Sequence, residues 1–302
     1  MCRNIKLSLP TVNIIFIVNS LFKEIPLGFN SVDKIYYYDK KNKNKGLMGY
    51  FNFLKDFKEK NIDYAIITHP HERSLILAKL IGSKNIVSLP IKRSFLNFFI
   101  NKKRVFSKKE IRNTYKADYN NGYLKEICDY KNFSVKYLRF DINEKNILKK
   151  FNLEKEYIVL SPTSKDLIKD WDYENIKKFI LNSENKIVLV GTEKANIIAN
   201  QLKNENINFI DLTLKTNITE LASIIKNSKC CVSVDTGTFH LSYAQGVKTF
   251  GLFFNEKMVV EWAPLNLDFV KIFIGKKERK GDVFFCSKNI SYKEVIKEIE
   301  KL

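Results

Sequence analysis

Apolar residues in this sequence gather in short runs that alternate with stretches of helical periodicity. Continuously apolar strands interleaved with helices are typical of parallel sheets covered on both faces. The pattern predicts an α/β fold with a sheet on each side of the middle of the chain. The runs are VNIIFIV (12–18), KIYYY (34–38), DYAIIT (63–68), NIVSL (85–89), YIVLS (157–161), KIVLVG (186–191), INFIDL (207–212), KCCVSV (229–234), VKTFGLF (247–253) and VKIFIG (270–275).

Helix boundaries are marked by three local signals. Asp172 precedes the amphipathic stretch YENIKKFILN and can cap it, and Asn217 and Glu220 have the spacing of a capping box. Gly246 is placed to end a helix that begins at Thr238. These signals place helices directly after three of the predicted strands.

The length of the chain predicts two domains. A single core tends to stop growing near about 250 residues, and the chain has 302. We expect an N-terminal domain over 1–150 and a C-terminal domain over 151–302, with the connection in NEKNILKKFNLEKE (143–156).

Positive charge is concentrated in the first half of the chain. The formal net charge is +19, and residues 1–150 hold 30 Lys and Arg against 13 Asp and Glu. Such a field favours an anionic partner, which could be nucleic acid, an acidic membrane surface or a phosphorylated or carboxylated substrate. The alternative is a solvated surface of a Lys- and Asn-rich protein.

Cysteine and histidine usage points away from disulfides and metals. The five cysteines form no C-x-x-C pair, and Cys230 and Cys231 fall within an apolar strand, which fits buried thiols in a reducing compartment. The three histidines have no zinc-site spacing with them. No apolar run reaches the roughly 18 to 20 residues that span a bilayer. Pro10 interrupts the only signal-peptide-like stretch, so we expect a cytoplasmic protein.

The stretch SVDTGTFHL runs from an apolar strand through a turn into a helix. The free N–H groups and positive end of a helix that starts at a strand's carboxyl end favour a phosphate or diphosphate. Gly237 allows close backbone approach, Thr236 and Thr238 add hydroxyls, and Asp235 and His240 flank them. The alternative is an ordinary turn with a capping threonine.

A second loop has similar chemistry. LSPTSKDLIKDW (160–171) also follows a strand and carries two hydroxyls and two ammonium groups into a loop. These groups would neutralise the same anion from the other side. They belong to Thr163, Ser164, Lys165 and Lys169.

The order and spacing of these motifs identify a family resemblance. PTSKDLIKDWDYENIKKFI, IVLVGTEKA, ITELASIIKNSKCCVSVDTGTFHLSYAQGVKTFGLF and EWAP strongly resemble glycosyltransferase family 9, the ADP-heptose:lipopolysaccharide heptosyltransferases. The resemblance covers residues 157 to 265 well and 12 to 90 more loosely. It implies a GT-B fold of two facing Rossmann-like domains, with the nucleotide sugar held by the C-terminal domain and the acceptor by the N-terminal one.

The resemblance also assigns donor-binding roles. Lys169 would stabilise the negative charge that grows on the diphosphate as the glycosidic bond breaks. It implies an inverting enzyme that uses no metal and no cofactor apart from the ADP-sugar substrate. The implied donor-binding residues are Thr163, Ser164, Lys165, Lys169, Asp235, Thr236, Gly237, Thr238 and His240.

Acceptor binding is expected in the N-terminal domain. THPHERS (68–74) follows a strand, so Arg73 is a candidate acceptor contact. The segment 91–112 mixes phenylalanines with eight basic residues, and we expect it to meet an anionic glycolipid and the inner membrane. The alternative is a basic helix packed through its phenylalanines. The other candidate acceptor residues are Lys92, Arg93, Lys102, Lys103 and Arg104.

One expected element has no counterpart in the sequence. Members of the resembled family open with a strand and a Gly-Asp turn, whose Asp is thought to deprotonate the acceptor. MCRNIKLSLPTVN resembles the helix after that turn, so the first strand and its Asp are expected to be absent. The substitutes as catalytic base are His71 and Glu72. We expect this chain to bind ADP-sugar and to transfer heptose slowly or not at all without the missing strand.

The leading hypothesis is a glycosyltransferase that moves heptose from ADP-heptose to the inner core of lipopolysaccharide or a related glycolipid, at the cytoplasmic face of the inner membrane. The first alternative is a catalytically silent nucleotide-sugar-binding protein. The second is a basic nucleic-acid-binding module, against which the donor motifs argue, so no nucleic acid partner is expected.

Overall fold

The structure of the protein is a computed structural model that divides into two compact units, Met1–Tyr137 and Leu138–Leu302. It describes residues 1–103, 106–107, 110, 113–128, 140, 144–166, 169–275, 278–280, 283–285 and 290–302.

Parallel strands and short helices alternate in the first unit. Its strands are β1 (Ile15–Asn19), β2 (Lys34–Tyr38), β3 (Tyr64–Ile67), β4 (Asn85–Ser88) and β5 (Lys102–Lys103). Its described α-helices are α1 (Cys2–Ser8), α2 (Met48–Asp56), α3 (Glu72–Leu80) and α4 (Lys116–Asn121). Single turns of 3-10 helix occupy Ser20–Phe22, Ile25–Gly28, Phe95–Phe99 and Gly122–Glu126.

The strands of the first unit form two parallel sheets. β1 pairs with β2, and β3 pairs with β4, which pairs with β5. Within residues 1–103 no ladder joins β1 to β3. Helix α3 bridges the two sheets, because Leu77 packs with Tyr38 of β2 while Leu75 packs with Ile67 of β3.

Most of the strands of the second unit form one parallel sheet. The strands are β6 (Ile158–Ser161), β7 (Ile187–Leu189), β8 (Ile210–Asp211), β9 (Cys230–Val234), β10 (Thr249–Phe253) and β11 (Val270–Ile274). They lie in the order β11-β10-β9-β6-β7-β8. A short antiparallel pair, β12 (Glu278–Lys280) and β13 (Val283–Phe285), is separate from this sheet.

Helices cover both faces of the six-stranded sheet. The described helices are α5 (Ile147–Lys150), α6 (Tyr173–Asn182), α7 (Glu193–Asn204), α8 (Ile218–Lys226), α9 (Gly237–Ala244), α10 (Glu256–Trp262) and α11 (Tyr292–Ile299). One core cluster includes Val232 and Phe179, and the other includes Cys231 and Ile224, because successive residues of β9 point to opposite faces. The predicted α/β class with parallel sheets is confirmed.

The two predicted helix caps of the second unit have different outcomes. Asn217 accepts a hydrogen bond from the Glu220 N–H at 2.8 Å while its own N–H donates to the Glu220 carboxylate at 2.9 Å, so the capping box is present. Asp172 is the residue that precedes α6, but its side chain makes no cap hydrogen bond.

Among the described residues, no helix is long and apolar enough to cross a membrane.

Close packing of α9 on the sheet depends on a glycine in β10. A Cβ atom added to Gly251 would lie 2.6 Å from Cε2 of Phe239, which is on α9. Phe239 is fully buried. Gly251 therefore lets α9 approach the sheet, and this fixes the helix whose first turn carries the Thr236-Gly237-Thr238 motif.

Candidate functional site

The two loops that the sequence singled out lie side by side in the second unit. β6 and β9 are parallel neighbours, and Ser161 at the end of β6 lies opposite Ser233 of β9. The loops that follow the two strands therefore both leave the carboxyl end of the sheet. Ser161 donates a hydrogen bond to Oγ1 of Thr238 at 3.3 Å, which ties the end of β6 to the first turn of α9. The carboxyl ends of parallel strands are where α/β sheets bind ligands.

An ion pair joins the two loops. Nζ of Lys169 donates to Oδ2 of Asp235 at 2.6 Å. The Asp235 side chain is only 6% exposed and that of Lys169 23%, so the pair is largely shielded from water. A fixed cation is thereby held within reach of the start of α9.

The start of α9 exposes backbone donors. Thr236 precedes the helix and its side chain makes no cap hydrogen bond; its hydroxyl lies 3.2 Å from that of Ser233. A Cβ atom added to Gly237 would meet no other atom within 4 Å. The protein's own packing therefore does not require glycine here, whereas the close approach of an anion to the helix N-terminus would.

His240 lies one turn into α9, beside the ion pair. Its Nε2 is 3.7 Å from Oδ1 of Asp235, its Nδ1 is 2.9 Å from the Tyr243 hydroxyl, and its ring centroid is 5.9 Å from that of Trp262. Burial lowers the pKa of His240; Asp235 raises it in part, and the Lys169 cation lowers it again. The imidazole is therefore neutral at pH 7.

A clamp that the motif analysis did not find holds the first loop. The Ser164 N–H donates to Oδ1 of Asp170 at 2.7 Å. Nζ of Lys194 donates to the Ser164 carbonyl at 2.6 Å and to Oδ2 of Asp170 at 2.8 Å. Lys194 is in the first turn of α7, so a third strand end contributes to the same loop. The only sequence signal was the polar GTEKA stretch after β7.

The turn before α7 needs its glycine. Gly191 has φ +147°, and a Cβ atom there would lie 2.5 Å from Cβ of Ala195 and 3.8 Å from Oγ1 of Thr163. Thr163 itself is buried, whereas Lys165 is exposed. Of the predicted donor-site residues, Lys165 and Gly237 are the exposed ones.

The two tryptophans differ in their surroundings. Trp171 is buried, and its Nε1 donates to the Ile290 carbonyl at 3.0 Å, so it is a packing residue of the core. Trp262 is half-buried beside His240, at the edge of the candidate site.

The predicted catalytic and acceptor residues of the THPHERS stretch lie at the start of α3, after β3. His71 is exposed and its ring centroid is 4.6 Å from that of His69. Glu72 accepts a hydrogen bond from the Ser94 hydroxyl at 2.7 Å. Arg73 donates to the Tyr38 hydroxyl and to the Asn44 carbonyl, both at 3.1 Å, so its guanidinium also holds the protein together.

The remaining basic candidates occupy two kinds of position. Lys92 and Arg93 are exposed in the loop after β4. Lys102 and Lys103 form the short edge strand β5, where Nζ of Lys102 donates to the Glu126 carbonyl at 2.6 Å. Arg104 lies outside the described residues.

The phenylalanines of segment 91–112 do not share one packed helix face. Phe95 and Phe98 are 78% and 68% exposed in a 3-10 turn. Phe106 is buried, with its ring centroid 4.0 Å from that of Tyr119. The alternative of a basic helix packed through its phenylalanines is therefore wrong for the described residues of this segment, because Lys102–Lys103 is a strand.

Among the residues that the structure describes, no three His, Cys, Asp or Glu side chains are grouped as metal ligands. An ammonium group, a helix N-terminus and several hydroxyls instead converge at the edge of the six-stranded sheet. Such groups at the carboxyl ends of parallel strands in an α/β protein are suited to an anion. The chain belongs to glycosyltransferase family 9 (heptosyltransferase), which it matches over residues 50–283.

Solved structures of the family share the fold of this chain. A glycosyl transferase family 9 protein from Veillonella parvula is 18% identical, with a TM-score of 0.81 over 99% of this chain and 90% of that one. E. coli ADP-heptose lps heptosyltransferase II is 13% identical, with a TM-score of 0.76 over 99% and 92%. E. coli heptosyltransferase WaaC, solved with ADP, is 17% identical, with a TM-score of 0.73 over 99% and 93%. Curated protein sequences give no significant match.

Proposed function

We propose that the protein transfers a heptose from ADP-heptose to the inner core of lipopolysaccharide or a related glycolipid, with inversion and without a metal ion. Membership of glycosyltransferase family 9 supports transfer of a sugar. The fold shared with E. coli WaaC, whose structure contains ADP, supports an adenine nucleotide sugar as the donor. The two alternatives, a silent nucleotide-sugar-binding protein and a nucleic-acid-binding module, are decided by the experiment below.

The observation that carries the proposal is the pairing of Lys169 with Asp235 at the start of α9. The carboxylate keeps the ammonium group in place while no anion is bound. The Lys169 ammonium has three N–H donors, so a diphosphate could share this cation with Asp235, and it would also accept hydrogen bonds from the N–H groups of Gly237 and Thr238. A nucleotide diphosphate therefore fits this edge better than a neutral sugar does.

The chemistry of transfer assigns a role to each group. The acceptor hydroxyl oxygen forms a bond to the anomeric carbon from the face opposite the diphosphate, and the bond from that carbon to the phosphate oxygen breaks. ADP leaves with the electron pair of that bond, so negative charge grows on the β-phosphate. Lys169 stabilises that charge more in the transition state than in the ground state. We propose that Asp235 and His240 contact the sugar and phosphate, and that Thr163, Ser164, Lys165 and Thr236 complete the donor set.

The acceptor proton goes to a base in the first unit, for which we propose His71 or Glu72. Both are exposed at the amino end of α3, where a substrate hydroxyl could reach them. Glu72 is oriented by Ser94, which favours a fixed carboxylate. Arg73, Lys92, Arg93, Lys102, Lys103 and Arg104 are proposed to attract the anionic glycolipid, at the cytoplasmic face of the inner membrane.

Calorimetric titration with ADP-heptose, a GDP-sugar, a UDP-sugar and a short single-stranded oligonucleotide tests the proposal. We expect saturable binding of ADP-heptose and weaker binding of the others. Mass spectrometry of an inner-core acceptor incubated with the protein and ADP-heptose then detects transfer. Donor binding without any heptosylated product would establish the silent binder, and oligonucleotide binding without donor binding would establish the nucleic-acid module.

A further inference from the structure

The first unit exposes large apolar side chains in two segments that follow parallel strands: the loop after β2 with the start of α2, and the loop after β4. Leu47, Met48 and Phe51, after β2, are 78%, 67% and 60% exposed. Phe95 and Phe98, after β4, are 78% and 68% exposed. Single exposed apolar residues are common on soluble proteins, but groups of them mark interaction surfaces. We call these five residues the apolar patch.

Adjacent residues of α3 hold the two loops next to each other. Arg73 donates to the carbonyl of Asn44, three residues before Leu47, at 3.1 Å. Glu72 accepts from the hydroxyl of Ser94, the residue before Phe95, at 2.7 Å. Because Glu72 and Arg73 are consecutive, both halves of the apolar patch are anchored to the first turn of one helix. The first turn of α3 therefore connects the two halves of the patch.

Asn44 makes the first of these loops rigid. Its buried side chain accepts from the Asp39 N–H at 2.8 Å and donates to the Gly49 carbonyl at 3.1 Å. A Cβ atom added to Gly49 would lie 2.1 Å from the Asn44 carbonyl carbon, so only glycine lets the loop pack against the start of α2. Leu47 and Met48 are thus presented to solvent by a fixed backbone.

Asn97 does the same for the second loop. It accepts from the Ile91 N–H and donates to the Ile91 carbonyl, both at 2.8 Å, which closes the loop into a compact turn. Arg93 within this turn has φ +61°, a left-handed conformation that is unfavourable for an arginine and is imposed by the closed loop. Phe95 and Phe98 are thus exposed on a loop that its own hydrogen bonds close.

The charges around the apolar patch are predominantly positive. The cations exposed on the same two loops are Lys40, Lys41, Lys43, Lys45, Lys92 and Arg93. Lys43 is paired with Asp56, and Asp39 binds the N–H groups of its own loop. Protein interfaces tend to be depleted of lysine, whereas five of these six cations are lysines. Exposed apolar and aromatic side chains surrounded by cations are suited to the headgroup region of an anionic bilayer.

We propose that the apolar patch docks the first unit onto an anionic lipid bilayer, with its side chains inserted among the lipids. This inference rests on the proposed function for its biological role. A lipid-anchored acceptor would then lie near His71 and Glu72, because both halves of the patch are linked by hydrogen bonds to the amino end of α3. Membrane docking nevertheless has its own measurement, which needs neither donor nor acceptor.

Vesicle flotation tests the proposal with the full chain. Vesicles of phosphatidylcholine alone are compared with vesicles containing about a third phosphatidylglycerol, at low and high salt. The patch variants are Phe95→Ser with Phe98→Ser and, separately, Leu47→Ser with Met48→Ser. The matched control is Leu181→Ser with Ile197→Ser, which removes side chains that are 58% and 66% exposed on helices of the second unit. Circular dichroism and thermal unfolding confirm that each variant is folded.

We expect binding to the anionic vesicles only, with loss at high salt. Each patch variant should lower the bound fraction at least fivefold, and the control should not. Binding unchanged in both patch variants, or equal on neutral vesicles, would overturn the proposal. So would a wild-type dimer that the patch variants convert to monomer, because the patch would then join two copies of the chain. Vesicle binding without ADP-heptose binding would reject the proposed function and leave this inference standing. ADP-heptose binding without vesicle binding would reject this inference and leave the proposed function standing.

Discussion

Lys169 and Asp235 are 66 residues apart in the chain, yet Nζ of one lies 2.6 Å from Oδ2 of the other. The contact exists because β6 and β9 are neighbours in the sheet although β7 and β8 come between them in the sequence. Lys169 follows β6 and Asp235 follows β9, so both charges lie at the carboxyl end of the sheet. The parallel crossover, rather than any local motif, therefore assembles the candidate donor site.

Asp235→Asn should weaken ADP-heptose binding while the protein stays folded. Loss of one charged hydrogen-bonding group costs roughly 1.5 to 3 kcal/mol, or about a 10- to 150-fold change in affinity. Lys169 is partly exposed and in a loop, so water can solvate it in the variant. Calorimetry gives the affinity and thermal unfolding gives the stability.

Asp211→Asn is the matched control for that substitution. Asp211 is also a buried aspartate at a strand end of the same sheet, but its partners are Lys203 and Thr213. Burial alone would raise its pKa, and the hydrogen bonds from those partners lower the pKa to about 2. We expect this variant to lose stability and to keep donor affinity; equal loss of affinity in both variants would remove Asp235 from the site.

Lys194→Met should weaken donor binding indirectly. Lys194 holds the Ser164 carbonyl and Asp170, so its loss frees the loop that carries Thr163 and Lys169. We expect roughly a tenfold lower affinity, which corresponds to one lost charged hydrogen bond of about 1.5 kcal/mol. Faster amide hydrogen exchange in residues 162–170 would identify a positioning effect.

Lys203→Met removes a lysine from the other end of the same helix, where its partner is Asp211. This variant should leave both the exchange of the loop and the donor affinity unchanged. If Lys194→Met behaves like it, the clamp has no part in donor binding.

Gly237→Ala should separate stability from binding. The added methyl group would meet no protein atom within 4 Å, so stability should stay constant or rise by up to about 1 kcal/mol, because alanine restricts the unfolded chain. The same methyl group would stand where an anion approaches the helix N-terminus, so donor affinity should fall. Urea unfolding and donor titration measure the two effects.

Gly191→Ala is the contrasting substitution. Its positive φ and the 2.5 Å approach to Cβ of Ala195 predict a destabilised protein. Undiminished donor affinity in folded Gly237→Ala would show that no ligand approaches Gly237 closely.

His240 should make the protein less stable as the pH falls. Burial lowers its pKa in the folded state below the usual value of about 6.5, so near and below that pH the unfolded state binds more protons. The free energy of unfolding should therefore rise with pH through this window and level off above it. Urea unfolding between pH 5 and 8 measures the slope, and His240→Gln should reduce it. An identical slope in wild type and variant would contradict the assigned direction of the pKa change.

The sequence predicted ten of the thirteen described strands, because the signal of those strands is local. Each predicted run overlaps a strand, and KIYYY matches β2 from end to end. The run INFIDL shrinks to Ile210–Asp211, because β8 is at the edge of the sheet and pairs on one side only. KIVLVG ends at Leu189, since the turn at Gly191 starts the approach to α7.

Contacts between distant segments could not be predicted in the same way. Lys194 lies 30 residues from Ser164, and nothing in the local pattern distinguishes it from other helix lysines. The segment 91–112 has mixed apolar and basic residues without a clear period, so its 3-10 turn and edge strand depend on packing against α3 and β4. Arg73 was recognised as a candidate ligand contact, but its bonds to Tyr38 and Asn44 appear only in the fold.

Titration of ADP-heptose into wild type, Lys169→Met and Lys186→Met tests the central claim most directly. Both variants replace a lysine that is paired with a carboxylate in the second unit. Lys186 directly precedes β7 and so lies at the amino end of the sheet, where it pairs with Glu154. The account predicts saturable binding to wild type, an affinity lower by about 10- to 150-fold in Lys169→Met, equivalent to roughly 1.5 to 3 kcal/mol, and no change in Lys186→Met. Equal affinities in all three proteins, or no binding of ADP-heptose to wild type, would contradict it.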